Sequence, residues 1–136
     1  MSAMSDYLEG QLRAHIFRTA SFAKPTVLAI GLFTAAPSDS GGGTEVTGGS
    51  YARVSANPLD ATWTAASSID GVTTNASAIT FPAPTANWGT VTHFGIFDAT
   101  TAGNLLFHGA LSASRTINNG DAAPQFAIGA LSVTFA

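Results

Sequence analysis

The stretch TVTHFGIFDATTAGNLLFHGALSAS, residues 90–114, decides the fold class because it holds two apolar runs joined by a turn. The runs are rich in Val, Thr, Phe and Ile, which favour extended chain. The joining residues 98–104 include a Gly and an Asn, which readily adopt the left-handed conformation that a short hairpin loop needs. The stretch therefore predicts a β-hairpin.

Further extended segments lie on both sides of this hairpin. Residues 26–34 are apolar on both alternating faces, as in a strand buried on both sides. Residues 50–56 and 71–81 carry β-branched and aromatic side chains, and residues 125–135 are predicted to close a second hairpin through the turn at 118–121. These strands at close spacing predict an all-β fold, a single antiparallel β-sandwich of jelly-roll or immunoglobulin-like type.

The N-terminal region has a different periodicity. Leu8, Leu12 and Ile16 recur at helical spacing after Ser5, a good N-cap residue, with acidic side chains early and arginines late. This pattern predicts a short N-terminal helix over residues 6–18. Its apolar stripe is narrow, as in a helix that lies beside a sheet or against a neighbouring subunit.

One domain is expected for the 136 residues, because a chain of this length buries a single core. Pro25 separates the helix from the strands, since proline disfavours a helical conformation in the residue before it. We expect residues 1–24 to form the N-terminal helix and linker of the same domain, and residues 25–136 to form the β-sandwich domain. With no cysteine in the sequence, packing alone holds the fold.

Charged residues are only 10% of the chain, where about a quarter is normal. Residues 61–136 contain just four of them: Asp70, Asp98, Arg115 and Asp121. A surface this neutral has little charge repulsion to keep copies apart. We therefore expect other subunits to cover it, and we expect a homo-oligomer.

Two classes of partner are excluded by composition. The net charge of −3 and the lack of a Lys/Arg run argue against nucleic acid, because its binding depends on neutralised phosphates. The longest strongly apolar run, residues 27–33, is far shorter than the roughly twenty residues that span a bilayer. The polar, acidic N-terminus also differs from a signal peptide. We expect neither nucleic acid nor membrane as a partner.

Residues 41–54, GGGTEVTGGSYARV, combine a glycine cluster with a following strand. A phosphate-binding loop also needs a lysine and a helix behind it, and the only lysine of the chain is Lys24. Residues 41–49 are interpreted instead as a mobile connector that leads into the following strand and can act as an assembly arm. We expect the glycine loop that contains them, residues 38–50, to be a contact element.

Candidate catalytic and metal sites are weak. His93 and His108 face each other if the hairpin loop is short, but a catalytic zinc needs a third protein ligand and Asp98 is expected in the turn. Asp60 and Asp70 stand in turn-like contexts that explain them without catalysis. We expect no catalytic residue, no metal and no cofactor; a metal-dependent enzyme using the two histidines is the alternative.

Aromatic residues leave a second alternative open. Tyr7, Tyr51, Trp63 and Trp88 fill the core and interfaces in the simpler interpretation. In the other they form a platform for sugars, and the protein is a carbohydrate-binding host-receptor module with an exposed Trp63 or Trp88.

Glycines inside the predicted strands leave space that a neighbouring group must fill. They are Gly31, Gly95, Gly109 and Gly129. We expect a bulge or a large aromatic ring from the facing sheet at these positions. The alternative is a partner's backbone or side chain.

The chain resembles a family of small tailed-bacteriophage virion proteins commonly labelled tail fibre protein. The likeness follows the short helical segment YLEGQL and runs through LFTAAPSDSGGGTEVTGGSYARV (32–54), AITFPAPTANWGTVTHFGIFDATTAGNLLFHGAL (78–111) and NNGDAAPQFAIGALSVTF (118–135). Its specificity lies in the order of these phrases, above all TEVTGGSYAR and WGTVTHFGIFD.

The resemblance implies a non-enzymatic structural protein of the virion, made in the cytoplasm of the bacterial host. A tail fibre or baseplate position and a capsid decoration or cement position are both open. The expected partners are other phage virion proteins, either capsid or tail subunits. The expected contact residues lie on the helix and the glycine loop: Leu8, Leu12, Ile16, Phe22, Gly42, Thr44, Val46 and Tyr51.

Overall fold

The computed structural model describes residues 2–65 and 71–135. In chain order its elements are β1 (Ser2–Met4), α1 (Asp6–Phe17), β2 (Ala29–Ala35), β3 (Thr44–Glu45), β4 (Val54–Ser55), β5 (Val72–Thr74), β6 (Ile79–Thr80), β7 (Gly89–Phe97), β8 (Leu105–Ile117), β9 (Gln125–Phe126) and β10 (Ser132–Thr134).

The largest sheet is built around the predicted hairpin. Its strand order is β1-β8-β7-β2-β3, with β4 also paired to β2, and all of these pairs are antiparallel. Of the two loop residues expected to be left-handed, Gly103 is (φ 74°), but Asn104 is not, and Ala102 (φ 51°) takes that conformation instead. Asp98 closes the loop, because its carboxylate accepts the Asn104 backbone N–H at 2.7 Å. The hairpin prediction is confirmed.

Two smaller antiparallel sheets cover one face of this sheet. They pair β5 with β10 and β6 with β9. Their buried side chains Ile79 and Val133 share one core with Ile30 and Ile96 of the large sheet. The fold is thus mostly β, with antiparallel sheets in a sandwich-like arrangement and one short helix, as predicted.

The opposite face of the large sheet carries a second, smaller cluster. Strand alternation turns Phe33, Phe97 and Leu105 away from the main core, and all three are buried together. The rings of Phe33 and Phe97 stack with their centroids 6.2 Å apart. Arg53, in the segment between β3 and β4, lies over the Phe97 ring of this cluster.

The prediction of a second hairpin, closed by residues 125–135, is wrong. Residues 125–135 form two short strands, β9 and β10, and neither pairs with β8. Residues 71–81 are likewise divided into β5 and β6, and residues 50–56 contain only the two-residue strand β4.

A buried asparagine explains these divisions. The Asn75 side chain is 0% exposed; its amide donates to the carbonyls of Ser77 and Ala127, each at 2.9 Å, and its oxygen accepts the Leu131 N–H, also at 2.9 Å. These bonds fix turns in both segments, so neither continues as one strand. A polar side chain that satisfies backbone groups in this way competes with regular pairing.

The helix begins and ends close to its predicted bounds. The Ser5 hydroxyl accepts the Leu8 N–H at 3.2 Å as the N-cap, and Arg18 is the C-cap. Within the described residues, no helix is long and apolar enough to cross a membrane.

Candidate functional site

The C-terminal half of α1 presents two large apolar side chains to solvent. Ile16 is 67% exposed and Phe17 is 77% exposed, whereas Leu8 is the one buried residue of the helix. We call Ile16 and Phe17 the helix tip. Ile16 was among the predicted contact residues; Phe17 was not, because it lies off the Leu8–Leu12–Ile16 stripe.

The chain that follows the helix explains why the tip is exposed. His15 Nδ1 accepts the Phe22 backbone N–H at 3.1 Å, so the chain turns back after Arg18. This turn packs the Phe22 side chain against the main core, where Leu12 also packs. Ile16 and Phe17 remain on the outer side.

The first half of the glycine loop is tied to the helix and to β8. Ser38 and Gly41 exchange backbone hydrogen bonds at 2.9 Å. The Asp39 carbonyl accepts the Asp6 N–H at 2.9 Å, and the Asp39 carboxylate lies 2.8 Å from His108 Nε2. A mobile connector was expected here; the structure shows a segment anchored at several points.

The second half of the loop is held by an ion pair. The Arg53 guanidinium binds the Glu45 carboxylate in a bidentate manner, with Nε–Oε1 and Nη2–Oε2 distances of 2.8 Å. Arg53 Nη1 also donates to the Ala102 carbonyl at 2.7 Å, in the β7–β8 loop. The guanidinium lies 3.4 Å from the centroid of the Phe97 ring, a cation–π contact. This pair therefore joins three segments over the second cluster.

Tyr51 completes the same network. Its hydroxyl accepts the Leu32 N–H and donates to Glu45 Oε1, both at 2.9 Å. Its ring meets Trp88 edge to face, with centroids 5.3 Å apart. Burial raises the pKa of Tyr51 well above its ordinary value, because desolvation disfavours the phenolate.

The stability of the protein should therefore fall at alkaline pH in a way that depends on Tyr51. The folded pKa of Tyr51 lies above the unfolded value of about 10, so its contribution is full below about pH 10 and is lost as pH rises further. We expect the free energy of unfolding to fall less steeply between about pH 9 and pH 11 in Tyr51→Phe than in the wild type. Tyr7→Phe is the matched control, and chemical denaturation measures all three; equal slopes for Tyr51→Phe and the wild type would contradict the prediction.

A pair of facing glycines makes room for this network. Gly31 and Gly95 are directly opposite each other on β2 and β7. A Cβ at Gly31 would lie 2.8 Å from Glu45 Oε1, and one at Gly95 would lie 2.9 Å from Phe33 Cε2. The predicted aromatic filling is present at Gly95, but the ring comes from the same sheet and not from a facing sheet. At Gly31 the closest group is a carboxylate.

The family model described as podophage GP4 fiber I protein gp80 matches residues 3–134 of the chain. The chain belongs to this family. No curated protein matches it.

Membership in the gp80 fibre family confirms the resemblance to phage tail-fibre proteins over most of the chain. It implies a structural protein of the phage virion, as the sequence predicted.

Within this gp80-family fold, two of the predicted contact residues are not available to a partner. The side chains of Leu8 and Val46 are each 4% exposed, because both belong to the main core. The side chains of Leu12, Phe22 and Tyr51 are partly buried against the main core, so only part of each is exposed. Ile16, Gly42 and Thr44 are exposed.

The two histidines of the predicted metal site are not opposed in this member of the gp80 family. His93 is paired with Ala110, and His108 is paired with Gly95. The register shifts by one residue between Phe97–Leu105 and Ile96–Phe107, on the loop side of both histidines, and a simple count from the turn does not reveal this shift. In residues 2–65 and 71–135 no three His, Asp or Glu side chains are grouped as metal ligands.

The tryptophans do not form the platform that the glycan-binding alternative requires. Trp88 is 5% exposed and its indole N–H donates to the Gly49 carbonyl at 2.9 Å. Trp63 is half-buried and donates to the Ala56 carbonyl at 2.9 Å. Of the two carboxylates considered, Asp60 is exposed in a turn and Asp70 lies outside the described residues.

Proposed function

We propose that this protein is a non-enzymatic structural subunit of a phage fibre that docks onto other virion proteins and associates with copies of itself. The single observation that carries the proposal is the helix tip, where Ile16 and Phe17 are exposed side by side. We place its synthesis in the cytoplasm of the bacterial host, and we favour a tail position over a capsid decoration position because the family is one of fibre proteins.

The energetics of α1 support a docking role. An isolated helix of this length is marginally stable in water, and α1 buries only Leu8 fully. Burying an Ile or Phe side chain is worth about 1.5–3 kcal/mol each. A partner that covers the helix tip would therefore stabilise both the contact and the helix that presents it.

The scarcity of charge supports extensive contact surfaces. Only four charged residues occur in residues 61–136, and depletion of charge is the compositional mark of the centre of protein interfaces. Self-association and docking would each remove part of this neutral surface from water.

The double substitution Ile16→Ser and Phe17→Ser should weaken self-association. We expect its dissociation constant to rise at least tenfold, since the apolar area of two large side chains is lost from the contact. Sedimentation equilibrium of the purified protein measures the change. The same variant should bind less to particles that lack the protein.

Ile128→Ser is the matched control, because Ile128 is 71% exposed in the segment between β9 and β10. It should associate and bind as the wild type does. Equal association by the wild type and the double variant, or a wild type that stays monomeric and binds no particle, would overturn the proposal.

A further inference from the structure

Strand β8 has an open edge over half of its length. It runs from Leu105 to Ile117. On the side away from β7, β1 pairs with it only at Phe107, His108 and Gly109. In the described part of the chain, no strand pairs with residues 110–116 on that side.

The same part of β8 is also bulged away from β7. The pairing steps from His93–Ala110 to Val91–Arg115, so the single residue Thr92 of β7 lies opposite four residues of β8. Residues 111–114 consequently have no partner residue in β7. Bulges of this kind change the direction of an edge strand and often adjoin functional sites.

A groove of about 430 Å³ adjoins this edge. One wall is residues 110–115 and the other is formed by residues 125–134, with the rings of Phe94 and Phe126 among its lining. The small side chains Ala110, Ser112 and Ala113 stand along the β8 wall. A second backbone could thus approach the strand closely.

Among the described residues that line the groove, Arg115 is the one charged side chain and none is acidic. Within the same described part of the chain, Arg115 forms no ion pair with a carboxylate. The groove therefore complements a ligand with a negative charge.

We propose that this groove binds an extended segment of another virion protein, which adds a strand to β8 and places an Asp or Glu side chain against Arg115. Addition of a strand to an exposed sheet edge is a general mode of peptide recognition, in which main-chain bonds give affinity and neighbouring side chains give selectivity. The inference rests on the proposed docking function and names the chemistry of one partner.

A second copy of the chain is a poorer occupant. If β8 paired with β8 of another copy, the incoming strand would bring no acidic side chain, because residues 105–117 contain neither Asp nor Glu. It would instead bring a second Arg115 into the contact.

Peptide titration of the isotope-labelled full chain, followed by nuclear magnetic resonance, tests the inference. The probe is a ten-residue peptide of alternating Thr and Val with one central Asp. Two matched peptides serve as controls. One carries Lys in place of Asp, and the other keeps Asp but has methyl groups on alternate backbone nitrogens. We expect shifts in residues 110–116 and 125–134, about fivefold weaker binding of the Lys peptide, and about tenfold weaker binding of the methylated peptide, whose main-chain donors are blocked.

Arg115→Glu should reverse the preference between the Asp and Lys peptides. Lys24→Glu makes the same change in net charge at an exposed site and should leave the preference unchanged. Absence of shifts at millimolar peptide, shifts confined to other surfaces, or equal binding of the methylated peptide would overturn the inference. Because the helix-tip variants test docking separately, a failure here with tip-dependent association intact rejects the groove alone.

Discussion

Asn75→Ala is expected to lower the free energy of unfolding by about 4 kcal/mol. The Asn75 side chain is fully buried and makes hydrogen bonds to Ser77, Ala127 and Leu131. Loss of this side chain leaves buried backbone groups without hydrogen-bond partners, and each unsatisfied group costs about 1–3 kcal/mol. The turns that separate β5 from β6 and β9 from β10 would lose their common support. Denaturation by urea, followed by far-ultraviolet circular dichroism, measures the change.

Asn119→Ala serves as the control for this substitution. Asn119 is exposed, and its backbone N–H, not its side chain, donates the hydrogen bond to Asn87 Oδ1. We expect its free energy of unfolding to differ from that of the wild type by no more than about 0.5 kcal/mol, as for most surface substitutions. If Asn75→Ala changed the free energy of unfolding as little as Asn119→Ala does, the two small sheets would not depend on the Asn75 side chain.

Arg53→Ala is expected to lower the free energy of unfolding by about 3 kcal/mol. The guanidinium is nearly buried and links the Glu45 carboxylate to the Ala102 carbonyl over the Phe97 ring. Removing one partner of a largely buried ion pair leaves the other charge poorly solvated. The β7–β8 loop would also lose its tether to the segment after β2. Thermal and urea unfolding provide the measurement.

Two comparisons separate the ion pair from simple loss of volume. Arg53→Lys keeps a positive charge but not the bidentate geometry. It should therefore retain less than half of the free energy of unfolding that Arg53→Ala loses. Arg13→Ala removes an exposed arginine and should have little effect. In a double-mutant cycle with Glu45→Ala, a coupling energy near zero would show that the pair contributes nothing to stability.

Local chemistry explains which parts of the fold were predictable. The β7–β8 hairpin follows from two apolar runs and the left-handed Gly103 between them, all within one stretch of chain. The N-cap at Ser5 is equally local. The division of residues 71–81 and 125–135 depends on Asn75 contacting residues more than fifty positions away, and no pattern within either segment shows that contact.

The sequence predicted the candidate contact surfaces only in part, because their exposure also depends on contacts between distant segments. Ile16 was found through helical spacing, but the burial of Leu8 and Val46 depends on how distant strands pack. The exposure of Phe17 depends on the turn that the His15–Phe22 hydrogen bond fixes. The open edge of β8 could not be foreseen, because it results from the short pairing of β1 and the bulge at residues 111–114.

The most direct test of the central claim is a cryo-electron microscopy map of the phage particle into which this domain is fitted. The claim is that the subunit works by docking through α1. We expect the helix tip, Ile16 and Phe17, to lie against another subunit of the fibre or against a neighbouring virion protein. A fitted domain whose α1 faces solvent in every copy, with its contacts made elsewhere, would contradict the account.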